Sequence, residues 1–220
     1  MDASDELSQP CEDRDFAEWH RSCPWSAVWV VMLEDQAVAR AVAEGRRRLG
    51  AALLPRYERQ PHISVAYRGL CQGGMAHPAQ EYDRRALEDD VGLLQALGQP
   101  PFALQIAGAG SFTTVPYLAV SAGSSALQRL HGALVPQPPA PGWRYVPHLT
   151  LGHYARRLPV REAVARIADL DPPDFRVAQL ALARYATADI AGALTVEGVF
   201  DLEAGRYTPS PAALWREVGA

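Results

Sequence analysis

The chain has 220 residues, of which 48% are hydrophobic and 21% are charged, and its formal net charge is -4. Such values are typical of one globular domain with a full core, and they exclude wholesale disorder and a polycation that binds extended duplexes. Three scattered cysteines without a CxxC pair indicate reduced thiols. The acidic N-terminus and the short apolar runs exclude a signal peptide and a membrane span, so we expect a cytoplasmic protein.

The first half of the chain alternates between predicted strands and helices. Residues 1–24 are expected to be a loosely ordered lead-in, followed by a single domain over 25–220. The stretch "WSAVWVVML" predicts a buried strand, and "QAVARAVAEGRRRLG" predicts a helix whose three arginines form a solvated end. "PHISVAY" alternates as a strand and is followed by a loop. A helix is then expected between Asp83 and Gly98, and "FALQIAGAGSF" predicts a strand that enters a glycine-rich turn.

The second half repeats this order. "PYLAVSA" predicts a strand, "SSALQRLHGALV" a helix, "VPHLTLGHY" a strand, "LPVREAVARIADL" a helix and "FRVAQLALARY" a strand. The two runs cover about 27–107 and 116–185, and a terminal strand or hairpin is expected at about 193–202. The repeated order indicates an internal duplication. It predicts an α+β, bilobal fold with a pseudo-twofold axis, in which antiparallel sheets line a central groove.

A Pro-His-apolar-Ser/Thr motif occurs once in each run, at 61–64 and at 147–150. Alternate residues of a strand share a face, so His62 and Ser64 are expected on one face, and His148 and Thr150 likewise. If the two halves meet at a groove, the site then holds two imidazoles and two hydroxyls. The residues predicted to point into the core instead are Ile63, Val65, Leu149 and Leu151.

Paired histidines suit chemistry at a phosphorus atom. Imidazole titrates near neutral pH, so one ring can accept a proton while the other donates one, and the hydroxyls can hold non-bridging oxygens. No metal is needed, and no HExxH, G-x-S-x-G or phosphate-loop motif is present. Two alternatives stay open. The motif histidines can be structural residues without a catalytic role, or they can form a zinc site together with His153. Strand alternation disfavours zinc, because it turns His148 and His153 to opposite faces. The other histidines, His20, His77 and His131, are expected at the surface.

The paired H-x-[S/T]-x motifs resemble those of the 2H phosphoesterase superfamily, the group of bacterial 2'-5' RNA ligases and cyclic phosphodiesterases. The resemblance extends over roughly 27–202. It implies a bilobal fold whose motifs face each other across a groove, with neither metal nor cofactor. It also implies that His62 and His148 are the acid and base, the second histidine being the expected base, and that Ser64 and Thr150 hold the phosphate.

The same resemblance implies contacts around this pair. Tyr67 fits an aromatic residue that often follows the first motif. An arginine often follows the second motif, and His153 stands there instead, so Arg56 or Arg144 is expected to supply a cation. Tyr154, like the tyrosines before each motif, is a candidate to stack on a base.

The resemblance therefore implies a metal-independent phosphodiesterase that opens 2',3'-cyclic phosphates. Its expected substrates are RNA ends or small cyclic nucleotides, and a monomer is expected. Two alternatives are a 2'-5' RNA ligase acting on RNA ends and a non-catalytic module that binds nucleotides or RNA ends. The pseudo-symmetry of the motifs leaves the acid and base assignment open.

Overall fold

A computed structural model of the chain describes residues 6–20, 22–71, 81–137, 139–172 and 174–216. The predicted loop after the first motif, with His77, lies largely outside this part of the chain. The helices described are α1 (Ala17–His20), α2 (Gln36–Leu49), α3 (Arg84–Leu97), α4 (Ser124–Leu134) and α5 (Val160–Ala165), with a 3-10 turn at Gly50–Ala52. Among these residues no helix is both long enough and apolar enough to cross a membrane.

The strands are β1 (Trp25–Met32), β2 (His62–Cys71), β3 (Phe102–Ser111), β4 (Pro116–Ala122), β5 (His148–Thr150), β6 (Phe175–Val177), β7 (Gln179–Ala186), β8 (Thr195–Asp201) and β9 (Arg206–Pro209). They form one antiparallel sheet in the order β6-β3-β4-β5-β2-β1-β7-β8-β9. The two motif strands, β2 and β5, are neighbours at its centre. The predicted antiparallel α+β fold is confirmed, and the sheet is not closed into a barrel.

The third strand of each run crosses to the other half of the sheet. Strand β3 follows the first motif but pairs with β4, and β7 follows the second motif but pairs with β1. Each half is therefore completed by a strand from the other run. The limits given above for the two repeats stay a prediction.

Local signals explain the two longest helices. The Asp35 carboxylate accepts hydrogen bonds from the backbone N–H of Ala37 and Val38 and so caps α2. Asp83 caps α3 in the same way through the N–H of Ala86. Gly98 ends α3 in the left-handed conformation, at φ 57°. The predicted start and end of α3 are confirmed.

One face of the sheet packs into the main core. The four motif neighbours predicted to point inward are each no more than 1% exposed. Beside them, the buried carboxylate of Asp90 on α3 accepts hydrogen bonds from Trp29 Nε1 and Tyr82 Oη, both at 2.8 Å. It also pairs with Arg68 of β2 at 2.8 Å. These contacts tie α3 to β1 and β2 on the core face of the sheet.

The N-terminal segment, residues 6–20, is bound to the body of the protein, so the predicted loose lead-in is wrong for these residues. The Ser8 side chain accepts a hydrogen bond from the N–H of Leu158 at 3.1 Å, and the Ser8 N–H donates to the Leu158 carbonyl at 2.9 Å. Cys11 N–H donates to the Tyr154 carbonyl at 2.7 Å. These backbone partners lie far away in the sequence, so local patterns do not reveal them.

Candidate active site

The two motifs meet through one residue pair of the sheet. Ile63 of β2 lies opposite Leu149 of β5 in an antiparallel ladder. Directly paired residues share a face, so His62 lies beside Thr150 and Ser64 lies beside the second histidine, all on the face away from the core. The histidines are therefore related diagonally across a pseudo-twofold axis. The structure brings the four predicted residues together at the centre of one sheet.

The two imidazoles are held in the same way. His62 Nδ1 lies 2.8 Å from the carbonyl oxygen of Gln60, and His148 Nδ1 lies 2.7 Å from that of Val146. A carbonyl oxygen only accepts, so Nδ1 carries the proton in both rings. The Nε2 atom of each neutral ring is then left as the acceptor. The matching two-residue spacing gives both histidines the tautomer that a base needs.

Burial keeps both imidazoles neutral. Burial lowers the pKa of His62 to about 4, the Gln60 carbonyl opposes this shift, and the charges of Arg59 and His148 add to it. Burial also lowers the pKa of His148 from its usual value, with the Val146 carbonyl again opposing. Both Nε2 lone pairs are therefore available at neutral pH before any anion enters the site.

The tyrosine before each motif reaches across to the other motif. Burial raises the pKa of Tyr57, and the nearby Thr150 side chain acts in the opposite direction. The hydroxyl of Tyr145 donates to the carbonyl oxygen of Ser64 at 2.8 Å. Each of the two tyrosines thus lies close to the hydroxyl residue of the opposite motif.

Arg46 supports Tyr57, so its predicted place at a solvated helix end is wrong. Its Nε donates to the Leu151 carbonyl at 2.8 Å, and its guanidinium carbon lies 4.8 Å from the centre of the Tyr57 ring. The next two arginines of α2 do lie at the solvated end, where both pair with Glu44 at 2.7 Å. Helical spacing alone does not separate the inward arginine from its neighbours.

Tyr67 reaches the site because of a β-bulge. The ladder with β1 shifts by one residue at Val65, so both Val65 and Ala66 are buried in the main core. Tyr67 then pairs with Val28 on the same face as Ser64, and it is 49% exposed. The bulge changes the phase of the strand, so Tyr67 does not share the core face of Ile63 and Val65.

An aromatic cavity of about 370 Å³ opens next to Ser64 and His148. Its aromatic lining consists of Tyr67, Phe112, His131, Trp143 and Tyr145. The His131 and Tyr145 rings stack with centres 4.2 Å apart, and His131 Nδ1 lies 2.7 Å from the Val65 carbonyl. The expectation that His131 is an unconnected surface residue is therefore wrong. Arg144 is exposed at the rim of the same cavity.

Two further aromatic rings border His148 and were missed in the sequence. The ring centres of Phe112 and Tyr117 lie 4.9 Å and 5.1 Å from that of the imidazole. The predicted turn around Gly110 is in fact part of β3. A Cβ atom at Gly110 would lie 2.5 Å from the Tyr117 ring, so the absence of a side chain makes room for it. Only the pairing of β3 with β4 reveals this role.

Of the arginines near the site, Arg56 does not reach the motifs. It pairs with Asp13 at 2.7 Å and with Asp189 at 2.8 Å, so its donors are already used. Arg59, which the sequence interpretation did not select, is the cation whose charge acts on His62. Its position three residues before His62 was the available signal, but a loop arginine has no periodicity that would show its direction.

His153 and Tyr154 have different surroundings. β5 ends at Thr150, so the alternation that separated His148 from His153 does not extend that far. The His153 ring contacts Tyr57 edge to face, with ring centres 5.4 Å apart. Tyr154 is fully buried, and its hydroxyl lies 2.8 Å from Ser111 Oγ, so the structure does not bring it into the groove. Within the described ranges, no group of three or more histidine, cysteine, aspartate or glutamate residues is arranged to hold a metal ion.

This duplicated α+β fold, with an H-x-S and an H-x-T motif side by side on its central strands, defines a 2H phosphoesterase. A model of the 2'-5' RNA ligase superfamily matches residues 34–189, and the chain belongs to that family.

Solved structures show the same fold. TT0787 of Thermus thermophilus matches with a TM-score of 0.55 and 18% identity, over 81% of this chain and 98% of that one. E. coli LigT in its apo form matches with a TM-score of 0.52 and 19% identity, over 86% of this chain and 96% of that one. No curated protein sequence matches significantly.

Proposed function

We propose that the chain is a phosphodiesterase that opens 2',3'-cyclic phosphates of RNA ends or nucleotides by paired-histidine catalysis without a metal. The observation that carries the proposal is the equivalent setting of His62 and His148. Both rings donate Nδ1–H to the carbonyl two residues earlier, and each lies beside a hydroxyl residue of the other motif. We propose that it acts as a cytoplasmic monomer, in keeping with its unpatterned cysteines and small net charge.

Ring opening uses the two imidazoles in opposite senses. One neutral ring takes a proton from water while the water oxygen forms a bond to phosphorus. The bond from phosphorus to one ribose oxygen breaks, and the other ring, protonated, gives its proton to that oxygen. One water is consumed, and the proton left on the base returns to the acid through solvent. Each transfer contributes roughly 10²- to 10⁴-fold in rate.

Substrate entry supplies the protonated acid. An anionic phosphate near both rings favours imidazolium and so raises the pKa values that burial has lowered. Ser64 and Thr150 donate hydrogen bonds to the non-bridging oxygens, where negative charge develops. Tyr57, which lies near the Thr150 side chain, is in place to orient it for this contact.

The aromatic cavity suits the nucleoside part of such a substrate. Tyr67 and Trp143 are 49% and 42% exposed at its edge, so their faces are open to a base. Stacking of a base on an aromatic side chain contributes about 1–3 kcal/mol per base. E. coli LigT, a structural relative, has been crystallised with phosphate and with NADP+, which agrees with a site for phosphate and a nucleotide.

The test is hydrolysis of 2',3'-cyclic AMP, of an oligoribonucleotide with a cyclic end and of a cyclic phosphate of ADP-ribose, with the product isomer identified. His62→Asn and His148→Asn should each lower kcat by at least about 10²-fold while the fold is retained. Addition of EDTA should leave the rate unchanged. Full activity of either variant, or strict dependence on a divalent ion, would overturn the proposal.

Ligation is the second candidate, and membership of the 2'-5' RNA ligase superfamily favours it. The same groups can activate a 5'-hydroxyl in place of water: its oxygen bonds to phosphorus, the bond from phosphorus to the 3'-oxygen breaks, and the 3'-oxygen takes the proton of the acid, which leaves a 2'-5' linkage. Incubation of two such RNA ends at high concentration separates the two reactions. A joined product formed faster than the hydrolysed end would make ligation the main activity, and binding without any product would indicate a non-catalytic module.

A further inference from the structure

Arg59 carries a buried N–H group that no described protein atom accepts. It lies in the loop before β2, and its guanidinium carbon is 4.1 Å from the centre of the Tyr185 ring. Its Nε is buried and has no hydrogen-bond partner among the described residues. A buried donor without an acceptor is destabilising, so its retention points to an acceptor that arrives with a ligand.

The other arginines around the site are occupied or turned away. Arg56 is held by two carboxylates, and Arg46 donates to the carbonyls of Leu151 and Tyr57. Arg144 is exposed at the rim of the aromatic cavity. No carboxylate pairs with Arg59 in the part of the chain that the structure describes. Its positive charge is therefore not neutralised within that part of the protein.

Arg59 lies over the face of the sheet that carries the motif histidines, because Tyr185, on which it stacks, packs with Val30, the β1 partner of Ser64. Its charge acts on His62, Tyr57 and His153, and Tyr57 lies near Thr150. This is the end of the site where His62 and Thr150 lie side by side. The fork of guanidinium donors matches the spacing of two phosphate oxygens, and hydrogen bonds to charged groups are the stronger class.

We propose that Arg59 binds the non-bridging oxygens of the substrate phosphate at the His62–Thr150 end of the site. It would supply the cation for which Arg56 and Arg144 were the expected sources. The inference rests on the proposed function, because it takes the ligand of the motif histidines to be a phosphate. We expect an arginine at position 153 to reach the same phosphate, because His153 contacts Tyr57 and lies within range of the Arg59 charge.

The test measures binding of inorganic phosphate and of 3'-AMP by calorimetry, independently of turnover. Arg59→Gln should weaken both about ten- to hundredfold, and Arg59→Lys should weaken them less, because it keeps the charge and loses the fork. The control is Arg85→Gln, an exposed arginine of α3, which should bind like the wild type. Unchanged phosphate affinity in Arg59→Gln, with the fold intact by circular dichroism, would overturn the proposal.

Two further readouts separate ligand binding from packing on Tyr185. The double variant Arg59→Gln/His153→Arg should regain at least about tenfold in phosphate affinity, and failure to regain it would refute the shared position of the two side chains. Besides burial, the Arg59 charge lowers the pKa of His62, so Arg59→Gln should raise that pKa and move the corresponding limb of the pH–rate profile to higher pH. The other charged group that acts on the His62 ring is His148. If the wild type turns over no cyclic phosphate but Arg59→Gln still loses phosphate binding, the proposed function fails and the Arg59 assignment stands.

Discussion

Protonation of His62 should make the protein less stable in mild acid, and His62→Asn should remove that effect. The pKa of His62 is about 4 in the folded chain and about 6.5 when unfolded, so the unfolded chain takes up the proton first as the pH falls. Folding stability from this group is complete above pH 6.5 and is lost progressively down to pH 4. At about 1.4 kcal/mol per unit, the full loss over 2.5 units is about 3.5 kcal/mol, of which about 2.5 kcal/mol is reached by pH 4.5.

The assay is urea unfolding of the wild type and of His62→Asn at pH 7 and at pH 4.5. The asparagine side chain of the variant can neither bind the proton nor change charge, while every other titrating group is shared, so the difference between the two losses isolates His62. His148→Asn should reduce the loss in the same direction, because burial lowers the pKa of that ring too. Equal losses in the wild type and His62→Asn would refute the burial of His62 as the cause of its shift.

Three other predictions follow from contacts around the site. Tyr57→Phe removes the hydroxyl near the Thr150 side chain and should lower kcat/KM about tenfold with little change in Tm. An unchanged kcat/KM would show that this hydroxyl has no part in orienting Thr150. Gly110→Ala places a Cβ 2.5 Å from the Tyr117 ring and should lower the free energy of unfolding in urea by about 1–3 kcal/mol. Adding Tyr117→Ala to the same chain should remove the clash and restore part of this stability. If the double variant regains none, the clash with Tyr117 is not the cause. Trp143→Ala should weaken 3'-AMP but not inorganic phosphate, so an equal loss for both ligands would contradict base stacking.

Local patterns were sufficient for the centre of the site. The period of two in each motif separated His62 and Ser64 from Ile63, because the face of a strand residue depends only on its immediate neighbours. The repetition of the Pro-His-apolar-Ser/Thr motif then indicated that His148 belongs to the same site as His62 and Ser64. The order of strands and helices followed from the same kind of short-range information.

Long-range pairing decided the rest. Tyr67 lies on the site face because a bulge forms where β2 meets β1, and the sequence of β2 alone does not contain that partner. Arg59 projects from a loop, and a loop has no period from which its direction follows. The crossing of β3 and β7 depends on contacts between distant parts of the chain, as does the attachment of residues 6–20.

The crossing of these strands also sets the order in which the protein can be completed during synthesis. β1 is made early, but its partner β7 ends at Ala186, so one edge of β1 is unpaired until most of the chain has emerged. The first motif likewise lacks its neighbour until β5 is made. A nascent chain that stops before the second half carries His62 on an incomplete sheet. Activity is therefore expected only after both the second motif and β7 have been synthesised, so fragments that end earlier should be inactive.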